Sequence, residues 1–66
     1  MDIQEIKNRI EDIKAHAGDP ESQHSREDDL RHDLLESIAS GTCKNISGCA
    51  KLVLTTSDLD FERWCA

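Results

Sequence analysis

His24, Asp28 and His32 stand four residues apart, and each is of a type that can bind a metal or move a proton. On a helix this spacing lines them along one stripe, with about 6 Å between successive members. Two of them, one turn apart, can supply part of a zinc or nickel site. A protein zinc site needs three or four ligands converging on one point. Three groups on a straight stripe do not converge, and no clear further ligand stands on another element. The stripe therefore reads as a solvated helix face, on which acids near the helix start are favoured by the helix dipole. No metal and no cofactor is expected.

Cys43, Cys49 and Cys65 form a second group. Their spacing contains no C-x-x-C pair, so thiolate ligation or redox pairing has weak support. Cys49 falls among apolar positions, where a small buried hydrophobe is the usual role of cysteine. Cys43 lies in a loop and Cys65 next to the last residue, so both are expected to be exposed. Serine, histidine and aspartate are all present, but a catalytic triad needs a pocket that excludes water. A few short helices around an aliphatic core leave little room for a pocket of about 300 Å3. No glycine-rich phosphate loop exists, and enzymatic activity is not expected.

The elements that must position these groups read as helices. Ile3, Ile6, Ile10, Ile13 and Ala17 recur at alternating spacings of three and four, a two-position helical seam. Asp2 can cap that helix with Glu5 three residues on, and Gly18 can end it in the left-handed conformation. Asp19-Pro20 starts a second helix, since proline suits the first helical position. Its apolar face is Leu30, Leu34, Leu35, Ile38 and Ala39, and Ser40-Gly41 stops it. From Pro20 to Leu30 it is almost wholly polar, so those turns stand in solvent, fray, or lie against a partner. The run "NISGCAKLVLTT" fits a helix through Ile46, Cys49, Ala50, Val53 and Leu54. Its β-branched end suggests a strand, but a strand without a mate is marginal. Gly48 lowers the helical propensity there by about 1 kcal/mol. The tail "SDLDFERWCA" can form a last turn capped by Ser57, with Leu59, Phe61 and Trp64 on its apolar side.

A chain of 66 residues is expected to be a single domain, residues 1–66, of marginal stability. With one Phe and one Trp its core must be largely aliphatic. The net charge is −6, and residues 19 to 36 carry most of it through Asp19, Glu21, Glu27, Asp28, Asp29, Asp33 and Glu36. A negative field repels phosphate backbones, so nucleic-acid binding is disfavoured. A helix-turn-helix regulator is disfavoured too, because residues 45–56 have only Lys44 and Lys51 in or beside them. The first residues lack a basic start followed by an apolar run, and no stretch is long and apolar enough to span a bilayer. With an odd number of cysteines, a reduced cytoplasmic protein is the expected setting. In "DFERW", Phe61 and Trp64 read first as core clamps and second as anchors for a partner, since Trp and Arg are enriched at binding hot spots.

The segments "HSREDDLRHDLLESIA" and "SDLDFERWCA" resemble a family of very small acidic proteins of bacteria and their phages. The likeness is carried by His24-Ser25, Glu27-Asp28, Leu30, Asp33 and Ile38, with Asp58, Asp60-Phe61 and Arg63-Trp64 at the end. It implies a compact helical fold and a bacterial cytosolic setting, and assigns no catalytic residue and no ligand.

The expected fold is all-α. It is a small three-helix bundle with helices near 2–17, 20–40 and 45–56, then a short C-terminal helical turn. The seam on the first helix favours a homodimer. The expected function is that of a non-enzymatic interaction module. It docks on a protein partner, with a basic one favoured by charge, through Glu27, Asp28, Asp29 and Asp33 together with Arg63 and Trp64. No nucleic acid or membrane is involved. The alternative is a metal- or thiol-dependent sensor built from His24, Asp28, His32 and the cysteines.

Overall fold

The first helix begins where Asp2, in extended backbone, accepts a hydrogen bond from the Glu5 amide at 2.9 Å. This is an N-cap, which satisfies an amide left over at the helix start. In the computed structural model, which describes residues 1–63, helix α1 runs Ile3–Ala15. It ends two residues before the sequence predicts, with the chain turning through His16 and Ala17 to a left-handed Gly18 (φ 93°). Helix α2 follows as Pro20–Ala39, capped by Asp19, whose side chain accepts from the Ser22 amide at 3.1 Å. Helix α3 is Ile46–Leu54, and a 3-10 turn, Thr55–Asp58, follows it directly. There is no strand among the described residues, so "LVLTT" is helical. No helix among them is long and apolar enough to cross a membrane.

The three helices pack against one another around Ile6, Ile10 and Ile13 of α1, Leu30 and Leu34 of α2, and Cys49 and Val53 of α3. All seven are buried. Two ion pairs tie α1 to α2: Arg9 to Asp33 at 3.0 Å and Arg26 to Asp12 at 2.7 Å. The later residue of α1 pairs with the earlier residue of α2, so the two helices run antiparallel, as a short connection favours.

The seam of α1 and the polar start of α2 both enter the core of this chain. The isoleucine seam of α1 is consumed inside the monomer: Ile6, Ile10 and Ile13 are its share of the core, and Ala17 sits exposed beyond the helix. It no longer argues for a dimer. The polar start of α2 neither frays nor stands free. Gln23, His24 and Glu27 are buried, and Gln23 Nε2 donates to the Ile13 carbonyl at 3.0 Å, serving the open end of α1.

The tail also differs from expectation. Ser57 lies within the 3-10 turn, and the chain leaves it extended from Leu59 (φ −72°, ψ 134°). The Leu59 amide closes the turn on the Thr56 carbonyl at 3.1 Å, and the Arg63 guanidinium donates to the carbonyls of Thr56 at 2.8 Å and Phe61 at 3.2 Å, holding the extended tail against the turn. Phe61 is half-buried against the core, as expected of a clamp, and Arg63 Cζ lies 3.9 Å from the centre of its ring. Trp64 and Cys65 fall outside the described residues.

Candidate protein-docking surface

Of the six residues assigned to partner binding, Trp64 lies outside the described residues and the other five separate into different environments. Glu27 is only 4% exposed. It lies three residues before Leu30 and seven before Leu34, so a 3.6-residue repeat turns it to the core face. Arg63 meets it with two prongs, Nε to Oε1 at 2.9 Å and Nη2 to Oε2 at 3.1 Å. Burial pushes the Glu27 carboxyl up. Together the Arg63 and Thr56 hydrogen bonds and the charges of Arg63 and Arg31 outweigh this, and the carboxyl is held below its usual value. Glu27 and Arg63 thus leave the exposed acidic face and form an internal clamp. Asp33 is committed to Arg9. Asp28 and Asp29 remain on the exposed side of α2.

The histidine stripe does not assemble a metal centre. His24 is buried with its Nε2 3.5 Å from Asp28 Oδ2, whereas His32 is exposed and pairs with Glu36 one turn onward. No group of three His, Cys, Asp or Glu side chains suited to a metal ion occurs among the described residues. Cys49 is fully buried in the core, as its apolar neighbours predict.

The surface between α2 and α3 was not foreseen. Leu34 and Val53 form the floor of a shallow groove, and Leu35, Leu54, Ala50 and Arg31 complete its lining. Leu35 is 66% exposed and Leu54 62% exposed. Ile46, at 52%, stands two turns before Leu54 on the stripe Ile46–Ala50–Leu54. These three are the large exposed hydrophobics of the described residues. The signal in the sequence is the adjacent pair Leu34-Leu35. Neighbouring residues on a helix point about 100° apart, so both cannot enter one core. Nine-residue α3 likewise carries more apolar side chains than one buried stripe accommodates.

Arg31 sits at the end of this groove. Its Nη2 donates to the hydroxyls of Thr56 and Ser57, both at 3.1 Å, and its buried Nε finds no acceptor among the described residues. Asp28, seven residues before Leu35, shares the same face of α2 two turns away. The arrangement can hold an apolar side chain in the groove and a cation beside it. It brings together no nucleophile, base and orienting acid. No family model matches this chain, and neither a curated protein nor a solved structure matches it.

Proposed function

We propose that this protein is a non-enzymatic interaction module that docks a basic, amphipathic segment of a protein partner on the α2–α3 face. One observation carries the reading: the large exposed hydrophobics gather on one side of the molecule, with Leu35 and Leu54 on opposite walls of one groove. A helix laid in such a groove anchors through apolar residues one or two turns apart. Its basic residues would meet Asp28, and a net charge of −6 steers such a partner toward the molecule. The resemblance to small acidic proteins of bacteria and phages fits an accessory factor of this kind working in the cytoplasm.

The test is site-specific photocrosslinking in the native host, with the probe at Leu35 or at the exposed Lys7 of α1. The probe at Leu35 should capture a basic protein, and the probe at Lys7 should not. Leu54→Glu should abolish capture. Asp28→Asn should weaken it, as should high salt, because exposed charges are screened. Equal capture at both positions, or capture indifferent to Leu54→Glu, would sink the proposal. A second copy of this chain as the captured species would replace the basic partner by a homodimer. The metal-sensor alternative predicts a Tm lowered by chelator; the docking module predicts the same Tm with and without it.

A further inference from the structure

Cys43 and Cys49 are brought together by the capping of α3. Asn45 adopts the left-handed conformation (φ 58°) and its side chain accepts from the Gly48 amide at 3.1 Å. The reversal this imposes lays the residue two before the cap over the first turn of the helix. The Cys49 thiol donates to the Lys44 carbonyl at 3.3 Å, and the Cys43 thiol approaches the same oxygen at 3.8 Å. Both sulfurs thus stand at one carbonyl oxygen. Both are free, and they differ in access: Cys49 is fully buried, while Cys43 is half-exposed at the edge of the core.

We propose that Cys43 and Cys49 form a reversible dithiol–disulfide site that is oxidised by low-molecular-weight disulfides. The Cys43 thiolate attacks one sulfur of the small disulfide. A mixed disulfide forms on Cys43, and one small thiolate leaves and takes up a proton. Cys49 then loses its proton to solvent as its sulfur attacks the Cys43 sulfur, and the second small thiolate leaves. Two protein thiols are oxidised by two electrons and one small disulfide is reduced to two thiols. The order follows from access and from the thiolate being the attacking form. Burial, and then the neighbouring Cys43, push the Cys49 thiol up, which keeps it protonated until the mixed disulfide is beside it. The bridge closes a ring of residues 43–49 that includes the Asn45 cap and the exposed Ile46.

The full-length folded chain treated with glutathione disulfide, then alkylated and cut with trypsin, reads this directly. Cleavage after Arg31, Lys44, Lys51 and Arg63 puts each cysteine on its own fragment. The expected product is a disulfide joining fragment 32–44 to fragment 45–51. In Cys49→Ala, glutathione should remain on Cys43. In Cys43→Ala, Cys49 should react at least about tenfold more slowly than Cys43 does in the wild-type chain, because its sulfur is buried. A bridge to Cys65, glutathione held on Cys43 of the wild-type chain without progressing to a bridge, or equally fast reaction of Cys49 without Cys43 would each overturn the proposal.

Discussion

Glu27 and Arg63 are 36 residues apart in the chain and meet as a two-pronged ion pair beneath the tail. Removing one partner of a fully buried pair costs about 3–5 kcal/mol, because the other charge is left without water or a counter-ion. Arg63 is one-third exposed, so solvent already screens part of this interaction. Arg63→Ala is therefore expected to cost about 2 kcal/mol in a urea melt, a large share of the few kcal/mol that a domain this small commands. The pH dependence follows from the depressed Glu27 carboxyl. A group whose folded value lies below its unfolded value stabilises the fold above the unfolded value, near pH 4 for glutamate. That contribution is lost as pH falls through the folded value. In Arg63→Ala, burial acts on Glu27 without its strongest opposing charge. The stability gap between wild type and Arg63→Ala should be full at neutral pH and shrink as pH falls from the variant's raised Glu27 value toward the wild type's depressed one. A gap that widens on acidification would contradict the clamp.

At the scale of the element, α3 explains a glycine that propensity alone makes a liability. A Cβ on Gly48 would lie 2.6–2.8 Å from the Asn45 side-chain amide, the group that caps the helix. Gly48 is the space in which the cap sits. An exposed helical Gly→Ala change ordinarily stabilises by about 1 kcal/mol. Here the gain is offset by displacing a cap worth about 1 kcal/mol. Gly48→Ala should be close to neutral in the wild-type chain. In Asn45→Gly, which keeps the left-handed backbone and removes the obstructing side chain, the same change should stabilise by about 1 kcal/mol. A double-mutant cycle by chemical denaturation reads this coupling, and strict additivity would refute it. The cap also decides the position of Cys43 over Cys49, so both variants bear on the rate at which the two sulfurs bridge.

For the whole molecule, the division of aliphatic residues between core and outer face sets what each contributes. Ile13→Ala removes a buried side chain at the junction of α1 and α2 and should cost about 3 kcal/mol, enough to populate the unfolded chain at room temperature. Leu54→Ala should change stability by less than about 0.5 kcal/mol, since Leu54 stands largely in water. Leu54 exposes the molecule to association, because exposed apolar side chains gathered on one face invite it. Thermal melts of the two variants, read beside crosslinking at Leu35, separate residues that hold the fold from residues that meet a partner. A large loss of stability in Leu54→Ala would place that side of α3 in the core instead.

The amino-acid sequence by itself determined the helices. Local rules suffice for the Asp2 and Asp19 caps, for Pro20 at a helix start, and for the spacing of three and four that turns Ile6, Ile10 and Ile13 to one side. It also contained the means to place Glu27 inward, at the spacing of Leu30 and Leu34, although its charged neighbours suggested otherwise. Tertiary structure alone decided the rest. Whether α1 spends its seam on another copy or on its own chain depends on how α2 and α3 fold over it. Whether the acids of α2 are free depends on Arg9 and Arg63 arriving from elsewhere in the sequence. The groove between Leu35 and Leu54 exists because α2 and α3 each carry one more apolar stripe than the core accepts. Their crossing brings the two surplus stripes side by side, and periodicity within one helix cannot specify that.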